Sequence, residues 1–278
     1  MRYSCTVPTK TKQPMKASAL TPPQRLTPTA RKAAIEGVTP EKAWKIAASE
    51  PTAKKLKRGK TAKPLAPERI AAILAVLRNA YPNVVCALHH HNAFELTIAT
   101  ILSAQTTDVG VNKATPGLFA VFPTPQALAA ASTAEIEPLI RTTGFFRAKA
   151  KNIQGAAKVL VAKFGGKVPK AIEELTELPG VARKTANVVL GCWYGIASGV
   201  VVDTHVLRLS RRLELTKNTD PVKVEQDLMK IIPKDRWIQF SHELIHHGRQ
   251  VCIARKPRCA DCTLEKLCNS PDKTWTSH

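Results

Sequence analysis

The sequence is short of acidic residues and has no long hydrophobic run. It contains 42 Lys and Arg against 21 Asp and Glu, a formal net charge of +21 over 278 residues. Such an excess of cations is unusual for an enzyme of small metabolites and typical of a protein that meets a polyanion such as nucleic acid. No apolar run approaches the roughly 20 residues of a membrane-spanning helix, which excludes a transmembrane protein.

The N-terminus also lacks the apolar core of a secretory signal. The seven cysteines are not spread as a disulfide framework, because four of them crowd into the C-terminal region. Both observations predict an intracellular protein in a reducing compartment. We expect a cytoplasmic, nucleoid-associated location for a bacterial protein, and an organelle or the nucleus stays open.

The positive charge is concentrated at the N-terminus. Residues 1–66 hold fifteen Lys and Arg against three Asp and Glu, a net +12, together with eight of the twenty prolines. Such a segment buries too little apolar surface to offset the entropy of ordering, so we predict a mostly disordered tail. A solvated extension, a nucleic-acid-binding arm and an organelle transit peptide are three open interpretations of it.

Hydrophobic periodicity after this tail is helical. Apolar residues fall at i, i+3, i+4 and i+7 from Ile70 to Leu77, behind a helix start at Pro67. The stretches 153–164 and 221–231 show the same spacing, and two glycines follow the first of them. Strand-like character is confined to residues 199–202. The sequence therefore predicts a mainly α fold.

Four cysteines near the C-terminus form the strongest local motif. Six, two and five residues separate Cys252, Cys259, Cys262 and Cys268. Four thiolates at this spacing can hold a tetrahedral zinc ion or a [4Fe–4S] cluster, and the spacing alone does not distinguish the two. The basic loop Arg255-Lys256-Pro257-Arg258 lies between the first two cysteines. It suits phosphate contacts, or it compensates the charge of the thiolates.

A second motif is a helical hairpin around residues 178–186. Pro179-Gly180 predicts a tight turn, and the following helix start offers unpaired N–H groups and a partial positive charge. The glycine allows a phosphate to approach the backbone closely. This pattern predicts a helix–hairpin–helix that grips a DNA backbone, although any pair of antiparallel helices can be joined by Pro-Gly.

Two candidate catalytic residues stand at predicted helix starts. Lys184 lies just inside the second helix of the hairpin, where the helix dipole disfavours a cation, and a free amine there can form a Schiff base with a sugar carbon. Asp203 follows the apolar run 200–202 and can serve as a base or stabilise a cationic sugar. Taken alone, the local evidence favours a phosphate contact for Lys184 and a helix cap for Asp203.

Together, these motifs resemble the endonuclease III family of DNA repair glycosylases, in the helix–hairpin–helix glycosylase superfamily. The resemblance covers about residues 67–270. It rests on four motifs in the expected order: Leu102-Ser103-Ala104-Gln105-Thr106-Thr107-Asp108, Lys184-Thr185-Ala186-Asn187, Val202-Asp203-Thr204-His205, and the four cysteines.

The resemblance implies an all-α fold with two helical lobes on either side of a DNA cleft. One lobe, residues 88–199, is continuous and contains six helices and the hairpin. The other joins residues 67–87 to residues 200–278 and carries the cysteines. The family implies a [4Fe–4S] cluster rather than zinc on these cysteines, and we expect a monomer.

The resemblance also implies a chemistry. Lys184 is expected to be the nucleophile at the sugar C1′ and Asp203 its activating carboxylate. The reaction is base excision from double-stranded DNA that contains an oxidised pyrimidine or an abasic site, with lyase β-elimination 3′ to the abasic site. The base excision step is expected to need no soluble cofactor.

Several DNA contacts follow from the same resemblance. Gln105 matches the residue that fills the gap left by the flipped base. Phe145 falls where the family often has an apolar wedge, although Phe145 and Phe146 also suit ordinary core packing. The remaining expected contacts are Gly180, Ala182, Arg183, Arg255, Lys256 and Arg258.

The chain departs from the family pattern at Ala182, where a second glycine is common. We expect its methyl to crowd a phosphate or to strain a backbone position with positive φ. Two other functions are open. A monofunctional adenine or mismatch glycosylase usually lacks the equivalent of Lys184, and a non-catalytic DNA-binding protein requires Lys184 and Asp203 to be only a phosphate contact and a cap.

Overall fold

The structure, a computed structural model, describes residues 66–274. The predicted tail therefore lies outside the described residues, apart from Ala66. Within this range the chain forms eleven α-helices: α1 (Pro67–Ala80), α2 (Ala93–Leu102), α3 (Asp108–Val121), α4 (Pro125–Ala130), α5 (Thr133–Ile140), α6 (Phe146–Phe164), α7 (Ile172–Thr176), α8 (Arg183–Tyr194), α9 (Thr204–Arg212), α10 (Pro221–Ile231) and α11 (Trp237–Gln250).

The all-α prediction is confirmed. Between residues 66 and 274 there is no β-strand, and short 3-10 turns are the only other regular elements. Residues 199–202, which looked extended in the sequence, lie outside the helices without pairing to a strand. None of the described helices has the length and apolarity of a membrane span.

A first hydrophobic cluster is built from helices α2 to α8. The 19-residue helix α6 contacts α2, α4 and α5. Its inner face carries Ile153, Ala156 and Leu160, which are fully buried. The helix ends at Gly165, whose φ of 59° is left-handed, as the paired glycines predicted. This cluster supports both ends of the hairpin described below.

A second hydrophobic cluster joins α1 to the C-terminal part of the chain, from Val200 to Leu264. The residues of α1 that the periodicity placed inward are all buried. They pack in one cluster with Phe240 and Leu244 of α11, which are fully buried. The first described helix thus completes a core that the last helices build.

Candidate active site

A tight turn leads from α7 into α8 at Pro179-Gly180, as the sequence predicted. Gly180 has a φ of +81°, and a Cβ at this position would lie 3.1 Å from Ile101 Cγ2 and 3.1 Å from Asn152 Cβ. An L side chain rarely adopts this conformation, and its Cβ would crowd both neighbours. The turn therefore requires glycine, and it sets the direction in which α8 begins.

The start of α8 is exposed and has no side-chain cap. Ala182 is the N-cap residue, with φ −89° and ψ 170°, and its side chain cannot accept a hydrogen bond from the first helical N–H groups. Because this backbone is extended, the expected strain from a positive φ does not occur, and that part of the expectation was wrong. Crowding of a phosphate by the methyl stays a prediction.

Lys184 and its neighbour Arg183 have different surroundings. Arg183 Nε donates to Glu225 Oε2 at 3.0 Å and to Oε1 at 3.2 Å. Lys184, the second residue of α8, is exposed and forms no hydrogen bond or ion pair with any residue between 66 and 274. Of the two adjacent cations, the structure fixes Arg183 and leaves the amine of Lys184 available.

The ion pair of Arg183 belongs to a larger polar network that no sequence motif indicated. Glu225, on α10, is 6% exposed, and its Oε1 also accepts from Asn187 Nδ2 at 2.8 Å. Asn187 in turn accepts from the Ser198 hydroxyl at 2.8 Å. Since Asn187 lies on α8, this network fixes the first turn of α8 against α10. Arg183 thus anchors the helix that carries Lys184. Its side chain is 46% exposed, and its contact with DNA stays a prediction.

Asp203 lies at the start of α9 and caps it. Its Oδ1 accepts from the N–H groups of His205 and Val206, both at 2.8 Å. The capping interpretation is therefore correct. The other carboxylate oxygen, Oδ2, accepts no hydrogen bond among the described residues, so capping leaves it free for a second role. No direct hydrogen bond or ion pair joins Asp203 to Lys184 in this part of the chain.

Gln105 and Phe145 share an unusual backbone. Both are exposed and left-handed, with φ of 56° and 47°. Gln105 lies in the turn between α2 and α3, and Phe145 immediately precedes α6. The Phe145 side chain is 70% exposed, whereas Phe146 packs against the first hydrophobic cluster. Core packing therefore accounts for Phe146 and not for Phe145.

The four C-terminal cysteines line one cavity, together with Arg212 and Arg258. Several N–H groups are directed at the sulfur atoms. Arg212 Nη1 donates to Cys252 Sγ at 3.2 Å, and the backbone N–H of Thr274 donates to Cys259 Sγ at 3.4 Å. In the described part of the chain, no three His, Cys, Asp or Glu side chains gather closely enough for a single metal ion.

Burial governs the acidity of two of these thiols. Desolvation raises the pKa of Cys252, although the hydrogen bond from Arg212 opposes this effect. Desolvation also raises the pKa of Cys262, to about 11. Thiols with raised pKa values are protonated at neutral pH, and a bound metal favours their thiolate form.

In the basic loop that follows Cys252, two side chains are exposed to solvent and one lines the cysteine cavity. Arg255 and Lys256 are exposed, and Lys256 has a φ of 53°. Arg258 is half-buried and lines the cysteine cavity, where its Nε has no hydrogen-bond partner among the described residues. Arg255 and Lys256 are therefore placed to meet an external ligand, and Arg258 is directed toward the thiols.

The chain is similar to known DNA repair proteins. Residues 98–234 match the HhH-GPD superfamily base excision DNA repair protein family. Endonuclease III of Synechocystis sp. is 56% identical over 203 residues, which are 73% of this chain and 93% of the relative.

Two solved structures of endonuclease III show the same fold. One is a non-covalent complex with DNA and the other a trapped covalent intermediate with DNA. Each is 43% identical to this chain, with a TM-score of 0.71, and the match covers 74% of this chain and 96% of the solved chain. The order of helices, the helix–hairpin–helix and the identity over nearly the whole of these relatives lead to one conclusion. The chain belongs to the endonuclease III family.

Proposed function

We propose that Lys184 and Asp203 form the catalytic pair of a bifunctional DNA glycosylase and AP lyase that acts in base excision repair. The observation that carries the proposal is the exposed amine of Lys184 at the start of α8, which has no partner between residues 66 and 274 while Arg183 beside it is fixed. An amine held on an anchored helix is suited to nucleophilic attack. A related protein has been trapped as a covalent intermediate with DNA, which supports this mechanism.

The proposed reaction starts from an oxidised pyrimidine nucleotide turned out of the duplex. The neutral Nζ of Lys184 attacks the sugar C1′, the glycosidic C1′–N bond breaks, and the base leaves with the bonding electrons and takes up a proton. The nitrogen lone pair then opens the sugar ring: the C1′–O4′ bond breaks, O4′ takes up a proton, and a protonated imine forms at C1′. This imine makes the C2′ proton acidic. Loss of that proton expels the 3′ phosphate as the C3′–O bond breaks, and water then hydrolyses the imine to restore the amine.

Asp203 is proposed to keep Lys184 reactive. Its Oδ1 is occupied by the two N–H groups of α9, so the geometry of the carboxylate is fixed. Its free Oδ2 can take the proton from the Lys184 ammonium group or stabilise positive charge on the sugar. Capping and catalysis then use different oxygens of one side chain.

The proposed DNA contacts come from three places. The N–H groups at the start of α8, with Gly180 and Ala182 before them, suit a phosphate. Gln105 fills the gap left by the flipped nucleotide, and Phe145, exposed ahead of α6, is the apolar wedge. Arg255 and Lys256 add phosphate contacts next to the cysteines, with Arg258 behind them.

We also propose that Cys252, Cys259, Cys262 and Cys268 hold a [4Fe–4S] cluster. The residues fit the group, because all four cysteines line one cavity and N–H groups donate to the sulfur atoms of two of them, Cys252 and Cys259. Each iron of such a cluster takes one thiolate. When bound, the cluster supplies cross-links that hold the C-terminal segment and the basic loop in place, and the chemistry on DNA stays with Lys184 and Asp203.

The two hydrophobic clusters support the proposed lobes, residues 88–199 and residues 67–87 joined to 200–278. We further propose a monomer in a reducing, intracellular compartment, which suits six free thiols among the described residues. The basic segment 1–66 is proposed to be a mostly disordered extension.

Borohydride reduction tests the catalytic assignment. Wild-type protein is mixed with duplex DNA that contains one abasic site, and the imine is reduced to a stable adduct. We expect the adduct in wild type and none in Lys184→Ala. Lys158→Ala, which removes an exposed lysine of α6, is the matched control and should form the adduct at the wild-type rate. An adduct in Lys184→Ala would overturn the assignment, and none in wild type would indicate a monofunctional glycosylase or a non-catalytic DNA-binding protein.

A further inference from the structure

A buried lysine connects the two turns that carry Gln105 and Phe145. Lys149, in the first turn of α6, is only 4% exposed. Its Nζ donates to the Thr106 hydroxyl at 2.7 Å and to the Thr143 carbonyl at 2.8 Å. The Thr106 hydroxyl itself donates to the same Thr143 carbonyl. The three groups form a closed triangle of hydrogen bonds, which we call the Lys149 triangle.

Burial of the Lys149 ammonium group is unfavourable in free energy, because the charge loses its contact with water. No carboxylate pairs with Lys149 in the described part of the chain, so neutral oxygens alone compensate the ammonium group. Burial accordingly lowers the pKa of Lys149. A methionine would fill similar space on this inner face at less cost. The buried charge therefore calls for an explanation other than core packing.

The position of the Lys149 triangle offers an explanation for the buried charge. Thr106 directly follows Gln105, and Thr143 lies two residues before Phe145. Gln105 and Phe145 both have left-handed backbones, a strained conformation for non-glycine residues that persists only where the surroundings enforce it. Lys149 donates to both turns at once, so it fixes each of them and the spacing between them.

We propose that Lys149 is a positioning residue that holds Gln105 and Phe145 in a fixed arrangement, so that the two side chains enter the duplex together as the damaged nucleotide leaves it. The inference rests on the proposed function, in which Gln105 and Phe145 are the inserting residues. Turning a nucleotide out of the duplex costs unstacking and unpairing. Prearranged inserting groups offset this cost without first having to be ordered themselves.

Two activities of the same protein should depend differently on the Lys149 triangle. Excision of a base from duplex DNA requires the nucleotide to be extruded and should depend on the Lys149 triangle. Schiff-base formation with an abasic site in single-stranded DNA requires no extrusion and uses only the catalytic pair. A purely structural role of Lys149 would instead lower both activities in parallel, through the fraction of folded protein.

Lys149→Met tests this separation. We expect single-turnover excision of an oxidised pyrimidine from duplex DNA to slow by about 10- to 100-fold, the scale of a misplaced positioning group. Borohydride trapping on single-stranded abasic DNA should stay at the wild-type rate. The fluorescence increase of 2-aminopurine placed opposite the lesion, which reports unstacking, should be reduced. Lys163→Met is the matched control, because Lys163 lies on the same helix with its side chain 61% exposed, and it should match wild type throughout.

Thr106→Val keeps the inference testable if Lys149→Met folds poorly. It removes the hydroxyl that joins the two turns and should reproduce the selective loss of duplex excision. The double variant should be no slower than the worse single variant, because both substitutions break the same unit.

Wild-type excision from the duplex by both single variants, or parallel loss of both activities, would overturn the inference and leave the proposed function intact. Absence of trapping in wild type would instead refute the proposed function, and this inference with it.

Discussion

At the scale of single residues, Asp203 combines a structural and a chemical task that one substitution can separate. Asp203→Asn keeps an oxygen that can cap α9 and removes the negative charge. We expect its melting temperature to stay near that of wild type while the rate of borohydride trapping falls by about 100-fold or more, because the carboxylate that activates Lys184 is lost. Thermal unfolding measures the melting temperature, and trapping kinetics measure the activity independently of it.

Asp203→Ala supplies the comparison, since it removes the cap and the charge together. It should lose as much activity as Asp203→Asn and, in addition, about 0.5–2 kcal/mol of stability. If Asp203→Asn trapped abasic DNA as fast as wild type, Asp203 would be a helix cap alone.

At the scale of elements, the hairpin depends on one glycine. Gly180→Ala places a methyl on a residue with φ +81°, 3.1 Å from Ile101 Cγ2 and from Asn152 Cβ. We expect a loss of about 1–3 kcal/mol in the free energy of unfolding from backbone strain and overpacking. Urea denaturation measures this loss. DNA affinity should fall as well, because the distorted turn of the variant displaces the start of α8.

The matched control is Gly117→Ala in α3, where a Cβ would meet nothing within 4 Å. That substitution should stabilise the helix by up to about 1 kcal/mol, because alanine is the better helix former. Equal effects of the two substitutions would show that the turn does not require glycine.

Elements also show how far the sequence could predict the structure. The i, i+3, i+4, i+7 spacing from Ile70 correctly placed the buried face of α1, and Gly165 and Gly180 correctly marked a helix end and a turn. These predictions succeeded because period and backbone conformation are local properties. No local pattern predicted the ion pair of Arg183 with Glu225, which is 42 residues away. Whether a cationic side chain contacts solvent, DNA or a distant residue depends on tertiary packing, and local sequence patterns do not contain that information.

Lys149 was missed although the sequence held a signal for it. It stands four residues before Ile153 and therefore on the same face of α6 as Ile153, Ala156 and Leu160, which are buried. A lysine in phase with a buried face indicates a buried cation. Its partner Thr106 is 43 residues away, so the pattern predicts the burial and not the contact. The free Oδ2 of Asp203 is likewise visible only once the helix cap is built.

At the scale of the whole molecule, the proposed cluster cross-links the C-terminal segment through its four cysteine ligands. Cys259→Ser removes one of four proposed cluster ligands. We expect the purified variant to contain much less iron per protein than wild type and to bind abasic duplex DNA more weakly, because the cluster orders the loop of Arg255 and Lys256. Elemental analysis gives the iron and zinc contents, and a gel-shift titration gives the affinity.

The control for that prediction is Cys86→Ser, which removes a free thiol that packs against the first hydrophobic cluster, outside the cysteine cavity. It should leave the iron content unchanged. Wild-type protein that carries zinc instead of iron would contradict the assignment of the cluster, and Cys259→Ser with full iron content would contradict the assignment of the ligand.

The amine of Lys184 at the start of α8 is proposed to form the covalent bond to DNA. The most direct test reduces the wild-type adduct on abasic DNA with borohydride, digests it with protease and nuclease, and locates the sugar remnant by mass spectrometry. We expect the remnant on Nζ of Lys184, on a peptide that runs through Arg183 and Asn187. A remnant on any other lysine, or on the N-terminal amine, would contradict the proposal.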